Sequence, residues 1–137
     1  MAFVDETIDV VADIRPVYAL WAAFEDYPKF MAVIDTVKVI DGDRLHWAAV
    51  VDEEVVEWDA DIVEHVEETR IRWEAIDGRE SGQVTFEKVD AETTRVHYQI
   101  DFDSAAWGDD PDAVEALMDD RVQGDLRAFK DIVEALA

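Results

Sequence analysis

The chain has 137 residues, half of them hydrophobic, with 35 acidic side chains against 12 basic ones and a formal charge of −23. That is enough apolar material for the core of one domain spanning 1–137, which excludes whole-chain disorder despite the charge. With no cysteine, disulfides, thiolate nucleophiles, iron–sulfur clusters and cysteine zinc sites are excluded as well.

Met1 to Val11 alternates, Val4, Ile8 and Val10 against Asp5, Thr7 and Asp9, and predicts a strand with one covered face. Asp13 is placed to cap a helix that takes Pro16 near its start, with Val17, Leu20, Trp21 and Phe24 on its apolar side. A turn at Asp26 leads to a shorter helical piece holding Tyr27, Phe30 and Met31. Val33 to Ile40 is β-branched and ends at Asp41-Gly42-Asp43, a hairpin signal. Arg44 to Val51 then sets Leu45, Trp47, Ala49 and Val51 on one side. Val56, Trp58, Ala60 and Ile62 follow, then Ile71, Trp73 and Ala75, then Val84 and Phe86. Val96, Tyr98, Ile100 and Phe102 close the series. The turns fall at Glu67-Glu68, Asp77-Gly78 and Asp90 to Glu92. Seven strands, six of them consecutive, each with one apolar and one polar face, predict an antiparallel sheet wet on one side. From Pro111 a helix of about seven turns carries Val114, Met118, Val122, Phe129, Ile132, Val133 and Leu136 as its apolar stripe. It is the natural cover for the dry face, which makes the fold class α+β.

The acids are spread along the whole chain, so they read as a solvated surface. A surface of this sign repels nucleic acid and anionic membranes. Two readings of the acidity stand, a merely acidic bacterial protein or adaptation to concentrated salt, where the Debye length falls to about 3 Å at about 1 M. The longest apolar run, Val17 to Phe24, is too short for a membrane span. The acidic, strand-like start lacks the pattern of a signal peptide, so a cytoplasmic protein without stable membrane insertion is expected.

The element order resembles the helix-grip fold of the START-like superfamily, also called SRPBCC. Local segments agree. FEDYPKFM (Phe24–Met31), RLHWAAVV (Arg44–Val51), EWDADI (Glu57–Ile62) and RIRWEA (Arg70–Ala75) are similar to the polyketide cyclase/dehydrase branch. RVQGDLRAFKDIVEAL (Arg121–Leu136) resembles the last helix of small bacterial members of that branch. The resemblance covers essentially the whole chain. It implies a curved sheet gripping the last helix around a deep apolar cavity, which in the superfamily takes lipids, sterols, quinones, polyketides and plant hormones.

Within such a cavity the lining would be Trp21, Trp47, Trp58, Trp73, Tyr98, Phe102, Met118 and Phe129. Two readings of the indoles stay open: they fill the core, or they stack on a flat apolar ligand. Ala49, Ala60, Ala75 and Gly82 opposite them leave room. Arg121 lies about 60° and Asp125 about 20° from the centre of the last helix's apolar stripe. As i and i+4 residues they can pair as a buried salt bridge, and Arg121 can also anchor a ligand oxygen. Gly124 beside them predicts a close approach of the helix backbone to a strand or ligand. His46, His65 and His97 fall on polar strand faces without metal-ligand spacing, so no metal site and no cofactor are expected. Ser81 and Ser104 lie in no nucleophile motif, and no catalytic residue is assigned. Acid–base chemistry would fall to Tyr98, Arg121 or Asp125. Trp107 reads as an exposed indole in the acidic loop from Ser104 to Asp110. It is either a gate over the cavity or a packing group against the helix start.

The function expected is binding of a hydrophobic small molecule or lipid in the cavity. The alternative is a polyketide cyclase, aromatase or dehydratase using the same space. A third class, a protein-interaction module, would need a contiguous exposed apolar patch, which the polar strand faces do not supply.

Overall fold

The computed structural model describes residues 2–51 and 53–136, without the side chains of Val51 and Leu136; the inward placements expected for those two lie outside the described residues. The strands are β1 (Ala2–Val10), β2 (Ile34–Asp41), β3 (Arg44–Val51), β4 (Glu54–Val66), β5 (Arg70–Ala75), β6 (Glu80–Lys88) and β7 (Thr94–Phe102). Helix α1 (Ile14–Ala22) and a 3-10 helix (Phe24–Lys29) separate β1 from β2. A single 3-10 turn (Ser104–Ala106) precedes the long α2 (Pro111–Leu136). All seven strands form one antiparallel sheet in the order β1-β7-β6-β5-β4-β3-β2. Strands β2 to β7 run as a meander. The two short helices carry the chain across the dry face, so β1 pairs with the last strand instead of the next one.

Local chemistry sets the boundaries. Asp13 caps α1 by accepting from the Arg15 backbone N–H. Gly42, at φ +52°, makes the tight β2–β3 turn that side-chain-bearing residues resist. The β2–β3 and β4–β5 pairings each shift register, and such bulges increase the bend and twist of a sheet. The Tyr27 hydroxyl donates to the Trp21 carbonyl at 2.6 Å, tying the 3-10 helix to the end of α1.

Helix α2 lies mainly along β1 and touches β7 and α1. Its inward side buries Val114, Met118, Arg121, Val122, Asp125, Leu126, Phe129 and Val133. Each large apolar side chain among these contributes about 1.5–3 kcal/mol of transfer free energy. Its C-terminal half is pinned to the end of β1, where Lys130 donates to the Asp9 carbonyl at 2.8 Å and Glu134 accepts from the Val11 N–H at 2.8 Å. Two details differ from the stripe read in the sequence. Leu126 belongs to the buried side. Gly124 faces solvent, and a side chain placed there would meet nothing within 4 Å of its Cβ, so no close approach explains the glycine.

Candidate functional site between the sheet and the long helix

The pleat delivers the aromatic side chains. Trp47 on β3 and Trp58 on β4 are register partners, and their rings stack at 6.0 Å with planes 9° apart. Trp73 on β5 continues the column, 6.1 Å from Trp47 at 28°. Its register partner on β6 is Gly82, and a Cβ there would lie 2.3 Å from the Trp73 ring. The glycine therefore makes room for an indole of the chain itself and not for a guest. Tyr98 follows 6.2 Å beyond Trp73, then Trp21 of α1 at 5.1 Å, then Phe129 of α2 at 5.3 Å from Trp21. Tyr27 touches Trp21, Trp47 and Trp73.

Trp107 closes the other end of the column. It is buried, not exposed, and sits edge-on to Trp58 at 5.2 Å. The Arg79 guanidinium lies 5.4 Å from the Trp58 ring and 5.3 Å from the Trp107 ring, a double cation–π contact. The Trp107 indole N–H reaches the Arg79 carbonyl at 3.4 Å. The acidic loop thus folds its indole inward onto the β5–β6 hairpin.

All ten expected lining residues are buried on the inner side: Trp21, Trp47, Trp58, Trp73, Tyr98, Phe102, Met118, Arg121, Asp125 and Phe129. Surface hollows over β1 and α2, and over the outer face of β5–β7, are bounded by none of these ten. The rings of the lining that the resemblance implies pack on one another, ring against ring.

Buried within this apolar interior lies a charged knot. Arg121 Nη1 donates to Glu80 Oε1 at 3.2 Å, with the two side chains 3% and 1% exposed. Its contact to Asp125, expected to be the main pair, is longer at 3.9 Å from Nε to Oδ2. Glu80 approaches from β6, across the interface between sheet and helix. Glu80 is the residue that the sequence reading missed. Its signal was its phase: it is in step with inward Gly82, Val84 and Phe86 on one strand.

The knot and the rings around the core are under-satisfied. Glu80 Oε2, Arg121 Nε and Nη2, Asp125 Oδ2, the Tyr98 hydroxyl and the indole nitrogens of Trp21, Trp47 and Trp73 are buried without a hydrogen-bond partner in the protein. Each such atom costs about 1–3 kcal/mol, and native cores hold few of them. Burial pushes the Asp125 carboxyl up to about 7, with Glu80 adding to the rise; Arg121 and the Ala32 backbone N–H oppose it. Burial also drives the Tyr98 hydroxyl well above its ordinary range, so it stays a neutral donor. Burial opposes the charge on Arg121, but Glu80, Tyr98 and Asp125 more than offset it and the guanidinium stays protonated. The arrangement can donate several hydrogen bonds and, at Asp125, exchange a proton near neutrality.

The histidines lie elsewhere. His46 is held by Asp59 at 2.6 Å and Glu57 at 3.1 Å, and His97 by Asp5 at 3.0 Å, on the outer face as expected. His65 differs. The register shift at Ile62/Glu64 turns it toward α1, where it meets the Tyr18 hydroxyl at 2.6 Å. Among the described residues no group of three or more His, Cys, Asp or Glu is arranged to hold a metal ion. Among them, too, no helix is long and apolar enough to cross a membrane.

Comparison with known proteins gives a consistent picture. The family described as "Polyketide cyclase / dehydrase and lipid transport" matches residues 10–129. An uncharacterised 17.2 kDa protein of Streptomyces lincolnensis is 30% identical over 143 residues, covering 98% of this chain and 91% of the other. Among solved structures, a START superfamily protein from Mycobacterium smegmatis superposes with a TM-score of 0.85 at 15% identity, covering 98% of this chain and 99% of that one. The Zhui aromatase/cyclase from a Streptomyces species superposes with a TM-score of 0.76 at 20% identity, covering 98% and 92%. At these identities the superpositions speak to the helix-grip fold alone.

Proposed function

This chain belongs to the polyketide cyclase/dehydrase and lipid transport family, and from that premise we propose that it binds a hydrophobic small molecule between the inner face of the sheet and α2. The observation that carries this reading is the set of eight unpartnered polar atoms gathered inside an aromatic interior. A core built only for stability has no use for them, because apolar side chains of the same size would avoid the penalty. A flat guest bearing oxygen would cap the donors and stack on the indoles. Since the rings now pack on one another, entry requires side chains to move. The Trp58–Trp107 end, held by a loop and a hairpin, is the place for that movement. Native mass spectrometry of the protein purified from its own host tests the proposal: a bound apolar species released by denaturation supports it. Failure to retain any species, together with silence toward a broad panel of quinones, polyphenols and fatty acids by calorimetry, overturns it.

A second reading has one specific observation behind it. Asp125, with its carboxyl near 7 beside Arg121 and Tyr98, has the protonation behaviour of a general acid/base for cyclisation or dehydration. In that case Asp125→Asn lowers the rate of product formation more than it weakens binding. Equal losses in both would reduce Asp125 to a binding group.

A further inference from the structure

We propose that Glu80 sets the charge selectivity of the interior, making it a site for neutral, carbonyl-bearing aromatic guests and closing it to carboxylates. This rests on the interior being the ligand site. A buried guanidinium with free donors is ordinarily the natural partner of a carboxylate, because the planar fork matches two oxygens and the charges attract. Arg121 has such donors, at Nε and Nη2. Its charge, however, is already matched. Glu80 lies at 3.2 Å and Asp125 at 3.9 Å, so one positive group faces two carboxyls. The knot carries no net charge when Asp125 is protonated and one negative charge when it is ionised. An anionic guest would bring a further negative charge into a low-dielectric space already held by Glu80, where like charges repel far more strongly than in water.

The knot does offer hydrogen bonds: three of its unpartnered atoms are donors (two guanidinium nitrogens of Arg121 and the neighbouring Tyr98 hydroxyl) and two are carboxylate oxygens. A carbonyl oxygen satisfies donors without adding charge. Beside the Tyr98 hydroxyl, the rings of Trp21 and Trp73 lie 5.1 Å and 6.2 Å from the Tyr98 ring, aromatic surface for the ring of a planar guest. Glu80 thereby converts what would be an anion site into a carbonyl site.

Three compounds on one frame test this: 1-acetylnaphthalene, 1-ethylnaphthalene and 1-naphthoate, which differ at a single substituent. They are titrated into the full chain by calorimetry, with the indole N–H signals of Trp21, Trp47 and Trp73 followed by NMR. The ketone should bind at least tenfold more tightly than either the hydrocarbon or the carboxylate. In Glu80→Gln, which keeps the shape and removes the charge, the preference for the ketone over naphthoate should shrink at least tenfold. Naphthoate binding as tightly as the ketone in the native protein overturns the selectivity but leaves the interior site standing, provided the indole signals move. An unchanged preference in a folded Glu80→Gln protein overturns it as well. If Glu80→Gln fails to fold, the order of the three compounds in the native protein decides alone. If none of the three binds or moves the indole signals, the interior is not the site and the proposal falls with that reading.

Discussion

On the outer face of the sheet Arg95 meets Asp9 at 2.9 Å, Arg44 meets Asp61 at 2.9 Å, and the Gln83 amide donates to Gln99 at 2.6 Å. On the inner face Arg121, Glu80 and Asp125 share one ordinary hydrogen bond among them and leave four polar atoms unpaired. The same residue types are thus well matched where water would satisfy them anyway, and poorly matched where water is excluded. Exposed pairs are worth about 0–1 kcal/mol each, so the outer pattern is easily built and easily lost. The inner one is demanding on both counts. That contrast separates charge used for solubility from charge held in place for a purpose.

The contrast can be broken most severely at Arg121. Arg121→Met leaves Glu80 buried and uncompensated, and should remove about 3–5 kcal/mol of stability. A double substitution, Arg121→Met with Glu80→Leu, should recover most of that loss, as read from urea midpoints. A single substitution that barely shifts the midpoint would mean that water reaches the knot freely.

Almost as large is the pH dependence set by Asp125. Its carboxyl sits near 7 in the folded chain against an ordinary value of 3.8, so the unfolded chain releases this proton first. Stability should therefore fall as pH rises from about 4 to about 7, by about 4 kcal/mol, and level off above that. Glu6, also raised, adds to the trend; Asp9 and Glu134, held low by Arg95 and Lys130, act against it, but all three are solvent-screened. Asp125→Asn should flatten the profile by that amount, and parallel curves for the two proteins would contradict the shift.

Gly82→Ala probes the packing beside the knot. The new Cβ would meet the Trp73 ring at 2.3 Å, and displacing that ring should cost about 1–3 kcal/mol. Thermal melting checks this, with Trp73→Phe in the same background expected to restore part of the loss. The smallest effect belongs to the outer face. Arg95→Gln should change stability by less than about 1 kcal/mol, and a larger loss would erase the distinction between the faces.

The sheet was legible because each strand alternates, and α2 because its apolar residues recur at helical spacing. Arg121 and Asp125 stood out as charges on an apolar stripe. Glu80 did not, since Gly82 interrupts the hydrophobic run and leaves Val84 as the first inward residue that pattern alone can see. His65 is exposed, as expected, but on the side of α1, because a register shift reverses the pleat and leaves no mark in composition. Trp107 sits in a loop, where no periodicity says which way a side chain turns; its partners, Arg79 and Trp58, are contributed by other parts of the sheet. The ring-on-ring packing of the aromatic interior was equally hidden, because residue volumes on separate strands become a packing statement only once their register is known.

The column of indoles also has an optical consequence. Two chromophores 6.0 Å apart and nearly parallel share excitation: their transition dipoles couple, absorbed light hops between them before emission, and the ellipticity they produce together differs from the sum of two isolated rings. Trp47 and Trp58 therefore give the protein its own spectroscopic ruler, which reads any wedge driven between them without a label.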